Sequence, residues 1–303
     1  MSAPWRPVLL SLSPRQVAGL VVAGLGVLAC LIQLVDLVSG SATVRAALLG
    51  GGYAALATAL GTVPVAFAQR LSNRIQDALF GFGAGVMLAA SAFSLVLPGI
   101  EAAKDTALGA GSKWAAGGIV GLAILLGAAV LMAVERAVPH EHFIKGREGR
   151  GKDEAQKLRR TWLFVLAIML HNVPEGLAIG VAYGANEGVK ADALAIGIAI
   201  QDIPEGLVVA AALLSAGYRR GLSVALGMAS GLVEPLAAVA AAAVLEYSAT
   251  LLPWGLGFAA GAMLFVISHE IIPESHRKGH EAVATGGLML GFVLMMLLDT
   301  ALG

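Results

Sequence analysis

The apolar residues of this chain are collected into nine long runs separated by short polar breaks. A helix of about 20 residues rises about 30 Å, enough to cross the hydrocarbon core of a bilayer, so each run predicts one transmembrane helix. The predicted spans are 17–38, 44–68, 78–97, 114–134, 162–183, 194–214, 222–245, 252–272 and 282–298. The pattern predicts an all-α fold, a polytopic membrane helix bundle. A cytoplasmic segment 1–16 precedes one transmembrane domain, 17–303.

The distribution of positive charge predicts the orientation of the bundle. If the amino terminus is cytoplasmic, sixteen of the twenty Lys and Arg residues fall on that side. The others are Arg45, Lys104, Lys113 and Lys190. This bias predicts an inner (plasma) membrane protein with a cytoplasmic amino terminus and an extracytoplasmic carboxyl terminus. The longest connection, 135–160, is predicted to be a basic cytoplasmic loop, and its charge and glycines favour disorder or a mobile tether.

Composition narrows the class of protein. The chain is 58% apolar and only 13% charged, whereas soluble chains carry roughly 25% charged residues. The formal net charge is zero, so nothing indicates a nucleic-acid partner. Cys30 is the one cysteine, which excludes an intramolecular disulfide and a Cys-based metal cluster. The lipid bilayer is the predicted environment.

Two apolar runs contain nearly the same polar motif. One reads His-Asn-Val-Pro-Glu-Gly-Leu over 171–177, and the other reads Gln-Asp-Ile-Pro-Glu-Gly-Leu over 201–207. Both motifs lie about ten residues into a predicted span, and therefore near the membrane midplane. A carboxylate at that depth costs several kcal/mol, so it marks a functional site by default.

The spacing within each motif puts its polar groups on one helical face. His171 and Glu175 are four residues apart, as are Gln201 and Glu205. Asn172 and Asp202 flank these faces. Each proline removes an amide, and the following glycine adds slack, so we expect the helices to be broken and to line a polar cavity.

An imidazole, carboxylates and amide oxygens form a mixed site that suits divalent Zn²⁺, Mn²⁺ or Fe²⁺. Glu175, Asp202, Glu205 and Glu234 total four negative charges when ionised. Two divalent ions would neutralise them, and the hypothesis is a two-ion site bridged by glutamates. A proton relay or a protonated structural acid is the alternative for any one acid.

Other polar residues leave alternatives open. His269 and Glu270 suit a second metal station, an acid–base pair or a structural pair. Met87 suits a soft ligand or simple packing. Four histidines are interpreted as solvated loop residues, with metal capture as the alternative: His140, His142, His276 and His280. Glycines spaced four apart at 81/85, 257/261 and 287/291 indicate close helix packing.

The paired motifs closely resemble those of the ZIP family of divalent-metal transporters, particularly its bacterial members, and the resemblance covers nearly all of the chain beyond the first span. It implies eight core helices, here preceded by one extra amino-terminal helix, and a binuclear metal centre. The principal transport site is then His171, Glu175, Gln201, Glu205 and Met87. The second site is Asn172, Asp202 and Glu234, which share Glu175 and Glu205.

The resemblance also implies the route of the ion. His269 and Glu270 resemble a cytoplasmic exit, whereas Glu101 and Asp299 resemble acids at the extracytoplasmic entrance. Ser94 and Asp77 are weaker candidates. A homodimer, transport into the cytoplasm and an elevator-like motion of a four-helix bundle are expected. The predicted substrate is Zn²⁺, with Cd²⁺, Fe²⁺ and Mn²⁺ as alternatives, and no catalytic cofactor is expected.

Two other functions compete with a metal transporter. A proton or cation channel would use the same acids. An intramembrane metalloprotease is suggested by His269-Glu270, which opens a partial His-Glu-x-x-His motif. The fifth position is Pro273 instead of His, so the two-imidazole zinc clamp is missing and a non-enzymatic role is favoured.

Overall fold

The computed structural model describes residues 32–33, 35–67, 72–106, 109, 112–137, 154–185, 188–215 and 217–302, with only the backbone described over 154–168. The chain divides into two compact units, Met1–Ala42 and Thr43–Gly303. In the first unit, residues 35–40 are helical. The predicted segment 1–16 and most of the predicted span 17–38 lie outside the described residues.

Eight long helices follow, and we label them α1 to α8. They are Ala42–Phe67, Asn73–Lys104, Lys113–Ala137, Glu154–Gly184, Gly188–Ser215, Arg220–Tyr247, Ala249–His276 and Glu281–Leu302. Among the described residues, seven of these helices are long and apolar enough by length and composition to cross a membrane: α1, α2, α3, α5, α6, α7 and α8. The described part of the chain contains no strand, so the all-α prediction is confirmed. The count of eight core helices plus one stays a prediction.

Helix ends follow local sequence rules. Ser72 caps α2 by accepting a hydrogen bond from the amide of Ile75. After α5, the amides of Gly217 and Tyr218 donate to the carbonyls of Leu214 and Leu213. Gly217 has a φ of 96°, which a residue without a side chain adopts readily. This turn sends the chain directly back into α6.

The irregular turns lie where the motifs did not predict them. Helices α4 and α5 continue through Pro174 and Pro204, so the predicted breaks are wrong. A proline removes one intrahelical hydrogen bond, and the packed surroundings keep the helix intact. Instead, α6 is interrupted between Ser230 and Val233. Helices α2 and α7 contain π-helical turns at Ala90–Val96 and Ile267–Ile271.

Glycines pack α1, α4, α5 and α6 together, and we call these four helices the motif group. A Cβ at Gly61 would collide with the backbone carbonyl of Ile203 on α5, and one at Gly206 with that of Thr58 on α1. Gly176 and Gly180 on α4 lie equally close to the backbone of α6. Only glycine permits such contact, so these helices are locked backbone to backbone.

The other four helices, α2, α3, α7 and α8, form the companion group. Gly81 and Gly85 of α2 lie against the backbone of α8, and Gly257 and Gly261 of α7 lie against that of α3. The predicted packing role of these glycine pairs is confirmed. Between the groups, the glycine contacts are with side chains: Gly197 meets Met295, and Gly255 meets Val181.

We call one side of the bundle the basic end, where Arg220 at the start of α6 donates to the carbonyl of Ala66 at the end of α1. There Lys278 donates to Gln76 (2.6 Å), which joins the α7–α8 turn to the start of α2. Helix α3 continues to Ala137 and α4 begins at Glu154. The predicted loop 135–160 is therefore too long, because helix-forming residues such as Glu154 and Ala155 extend α4.

Candidate metal centre

Helices α4 and α5 place their motifs side by side in the motif group. His171, Asn172, Glu175, Gln201 and Asp202 are all buried, with at most 8% of their surface exposed. The Gln201 side-chain amide donates a hydrogen bond to Glu175 Oε1 across the two helices. The four-residue spacing within each helix thus produces a shared polar face.

Three carboxylates converge on this face. Glu175, Asp202 and Glu205 each offer one oxygen, and these oxygens all lie within 4.8 Å of one another. Zinc-to-oxygen distances are about 2.0–2.2 Å, so one ion spans oxygens about 4.4 Å apart, and a slight inward shift of the carboxylates from the 4.8 Å bound would let an ion contact them. Glu175 and Asp202 are buried, whereas Glu205 is partly exposed. The spacing suits a divalent ion.

Helix α6 adds a fourth carboxylate. Glu234 is fully buried, and its Oε1 accepts hydrogen bonds from Asn172 Nδ2 (3.0 Å) and Thr58 Oγ1 (3.2 Å). The interruption of α6 puts Glu234 in the first turn of a new helical segment, Val233–Tyr247. The positive end of that segment's dipole favours a carboxylate there.

Several buried oxygens of the cluster have no hydrogen-bond donor among the described residues. They are Asn172 Oδ1, Glu175 Oε2, Gln201 Oε1, Asp202 Oδ1 and Oδ2, Glu205 Oε1 and Glu234 Oε2. Leaving one such group unsatisfied costs about 1–3 kcal/mol. Every one of these atoms is an acceptor, so a cation is the partner that would satisfy them together.

Electrostatics point the same way. Asp202 interacts with Glu234, Glu175 and Glu205, in decreasing order of strength. Two ionised carboxylates 4.8 Å apart repel by about 3 kcal/mol at an effective dielectric constant of about 20. A divalent ion between the carboxylates would attract each of them and offset this repulsion. Apolar surroundings cannot offset it.

Met87 reaches the cluster from the companion group. It is 3% exposed and lines a small cavity together with Gln201 and Glu205. The remaining lining residues are Leu79, Phe80, Gly83, Pro204, Val208 and Ile271. The structure therefore brings the Met87 side chain to the principal site that the resemblance implies.

The π-helical turn of α7 separates two neighbouring side chains. Glu270 Oε2 lies 2.6 Å from His171 Nε2. His269 instead stacks on Phe265, and its Nε2 lies 3.3 Å from Glu135 Oε1 on α3. Glu270 therefore joins the principal cluster, while His269 belongs to a separate pair closer to the basic end.

A narrow cavity lies beside His171, Glu270 and Glu135. It is lined by Leu131, Glu135, Leu170, His171, Phe265, Val266 and Glu270. Sequence reasoning missed Glu135, because a carboxylate beside Arg136 at the end of an apolar run resembles an ordinary loop charge. Its position directly after the last residue of the predicted span 114–134 was the available signal. Thr58 was also missed, because one of three threonines in an Ala- and Gly-rich helix gives no such signal.

The remaining candidates are spread over both ends of the bundle. Away from the basic end, Ser94 donates to Asp299 (2.8 Å), while Glu101 is exposed and paired with Lys104 (2.5 Å). At the basic end, the fully buried Asp77 lies 2.8 Å from His280 Nδ1. The interpretation of His280 as a solvated residue is therefore wrong, because Asp77 holds its ring.

His276 also has local partners, since its Nδ1 lies 2.9 Å from Ser275 Oγ and 3.0 Å from the carbonyl of Ile272. These contacts tie the ring to its own helix, so it too is not simply solvated. His140 and His142 lie outside the described residues, and their role stays a prediction.

A family model described as ZIP zinc transporter matches residues 139–299, which include both motifs. The chain belongs to the ZIP family. It is 47% identical over 293 residues to zinc transporter ZIPB of Bordetella bronchiseptica, covering 96% of this chain and 93% of that protein. It is 44% identical to zinc transporter GufA of Myxococcus xanthus, with 85% and 99% covered, and 33% identical to zinc transporter ZIP11 of Homo sapiens, with 88% and 100% covered.

Membership in the ZIP family resolves one of the open alternatives. The members are membrane transporters, so the prediction of a transporter rather than an enzyme is confirmed and the metalloprotease is excluded. The apolar helices and the family together make this a multi-pass membrane protein. The predicted resemblance to bacterial ZIP proteins is confirmed as well.

Proposed function

We propose that this ZIP protein carries Zn²⁺ across the plasma membrane into the cytoplasm through two adjacent ion positions. The observation that carries the proposal is the convergence of four carboxylates whose buried outer oxygens have no donor among the described residues. The relatives from Bordetella and Myxococcus are both named zinc transporters, which favours zinc as the substrate. Cd²⁺, Fe²⁺ and Mn²⁺ are the alternatives that a mixed nitrogen and oxygen site also accepts.

The ligands divide into two unequal sets. His171, Gln201 and Met87 supply the neutral donors of the principal position. Asn172, Asp202 and Glu234 supply the second. Glu175 and Glu205 lie where both ions share them, because their oxygens fall within 4.8 Å of Asp202. Two divalent ions balance four ionised carboxylates, which favours two ions over one.

The proposed motion is a displacement of the motif group against the companion group. The backbone contacts made by glycines between helices lie within each group, whereas the glycine contacts across the boundary are with side chains such as Met295 and Val181. Side chains change rotamers far more readily than packed backbones separate. This distribution supports two rigid bodies that slide, as alternating access requires.

The proposed direction runs towards the basic end. Ser94 and Asp299 lie away from it and form the entrance, whereas Glu270, His269 and Glu135 lead from His171 towards it. The positive-inside rule makes the basic end cytoplasmic, with the amino terminus inside and the carboxyl terminus outside. A homodimer remains an expectation from the resemblance, and crosslinking in membranes tests it.

Zinc uptake into proteoliposomes with an enclosed fluorescent zinc indicator tests the proposal. We expect uptake that saturates with zinc concentration and is lost in His171→Ala. His276→Ala is the matched control, because the hydrogen bonds of this imidazole to described residues are with its own helix and Thr285. Unsaturating flux at channel rates would instead support a channel. In metal-soaked crystals, a single anomalous peak among these residues would rule out the two-ion site.

A further inference from the structure

Thr58 is the member of the cluster that neither motif contains. It lies in the middle of α1, is 1% exposed, and its hydroxyl lies 3.2 Å from Glu234 Oε1. The same hydroxyl lies 3.3 Å from the carbonyl of Ala54, one turn earlier. A threonine hydroxyl has one hydrogen, so it donates to one of these two acceptors at a time.

The hydrogen-bond donors that the structure describes for the Glu234 carboxylate all contact one of its two oxygens. Thr58 and Asn172 both donate to its Oε1, while Oε2 is buried and has no hydrogen-bond partner among the described residues. Two donors on one oxygen fix the rotation of the carboxylate. The second oxygen has no such donor in the part of the chain that the structure describes, and the ionisable residues on α5 that interact with this carboxylate are Asp202 and Glu205.

The backbone around Thr58 is held equally firmly. A Cβ added at Gly206 would collide with the carbonyl of Thr58, and one added at Gly231 would lie 2.9 Å from the Cβ of Thr58. These contacts come from α5 and from the interruption in α6. The position of the hydroxyl relative to Glu234 is therefore fixed by the close packing of α1, α5 and α6.

We infer that Thr58 is a positioning residue for the second metal ion, acting through Glu234; this inference rests on the proposed two-ion site. Its hydroxyl and the Asn172 amide hold Oε1, so that Oε2 is preorganised as a ligand. Positioning of a ligand by a neighbouring donor typically changes metal affinity by 10- to 100-fold. The principal position, built around His171, does not depend on this hydroxyl.

The test is a calorimetric titration of the purified full-length protein with Cd²⁺. Thr58→Val removes the hydroxyl but keeps the branched shape, and Thr58→Ser keeps the hydroxyl. Thr62→Val is the matched control: Thr62 is buried one turn further along α1, and its hydroxyl donates to the carbonyl of Ala59. Melting temperature and size-exclusion profile establish that each variant is folded.

We expect two dissociation constants in the wild type. In Thr58→Val one of them rises about tenfold and the other stays within about twofold. Glu234→Gln should raise the same constant. Thr58→Ser and Thr62→Val should each match the wild type within about threefold.

Three results would overturn the inference while leaving the two-ion site intact. They are unchanged affinities in Thr58→Val, an equal loss in Thr62→Val, or a failure of Thr58→Ser to restore affinity. A wild type that binds a single Cd²⁺ would refute the two-ion proposal itself, and the inference with it. A Thr58→Val protein that misfolds while Thr58→Ser binds only one ion would also count against it.

Discussion

Gly51 and Gly52 are neighbours on α1 whose replacement by alanine should have opposite effects. A Cβ at Gly51 would lie 2.6 Å from Pro235 Cα and 2.9 Å from Pro235 N, whereas one at Gly52 would meet nothing within 4 Å. Both changes add the same methyl group to the same helix. The difference between them therefore isolates the packing of α1 on α6.

The magnitude follows from the geometry. Carbon atoms pack best about 3.5–4.0 Å apart, so Gly51→Ala forces α6 to retreat by roughly 1 Å. Such overpacking costs about 1–3 kcal/mol, against a gain of at most about 1 kcal/mol from the helix propensity of alanine. Gly52→Ala has the stability gain from helix propensity without the cost of overpacking. The two variants should thus differ by about 1–3 kcal/mol in stability.

The displaced residue, Pro235, directly follows Glu234, so the damage should extend to the metal centre. Thermal melting in detergent should rank the variants as Gly52→Ala at or above the wild type and Gly51→Ala below it. Cd²⁺ titration should show weaker binding in Gly51→Ala alone. If Gly51→Ala melts as high as Gly52→Ala, the close approach of α1 to Pro235 is refuted.

Two further predictions concern the ends of the bundle. His280→Ala should lower the melting temperature more than His276→Ala, because it leaves the buried carboxylate of Asp77 with Lys278 at 3.9 Å as its remaining ion pair; equal melting temperatures would contradict this. Ser94→Ala should raise the KM for zinc uptake about two- to fivefold with little change in kcat, because Ser94 orients Asp299 and a lost hydrogen bond is worth about 0.5–1.5 kcal/mol. Ser268→Ala, whose hydroxyl donates only to the carbonyl of Phe265, is its control, and an equal rise in KM there would remove Ser94 from the entrance.

The sequence predicted those features that depend on periodicity and burial cost. Apolar runs located all eight described long helices, with boundaries that differ by up to eight residues, most at the start of α4, the end of α2 and the start of α5. Carboxylates inside such runs identified Glu175, Asp202, Glu205 and Glu234 as one group, since an isolated acid is too costly in a membrane. Four-residue spacing correctly placed His171 with Glu175.

Other features depend on contacts between distant segments and have no local signature. Thr58 reaches Glu234 across 176 positions of sequence, and His280 reaches Asp77 across 203. The π-helical turns of α2 and α7 could not be predicted from the sequence either, because one extra residue in a helical turn barely changes the pattern of an apolar run. The prediction from the prolines failed for the opposite reason: their local preference for a helix break is overridden where both prolines are buried in the packed bundle.

The membership of the two packed groups has a consequence for how the chain is made. The motif group uses the first helix and then the fourth to sixth, whereas the companion group uses the second, third, seventh and eighth. Ribosomes deliver helices in order, so α1 waits in the membrane for its partners until α6 has been synthesised. Helices α2 and α3 stay without their partners for longer. The face of α2 that packs on α8, and the face of α3 that packs on α7, remain uncovered until those helices are synthesised. A chain stopped after Tyr247 would contain a complete motif group and only half of the surface on which it is proposed to slide.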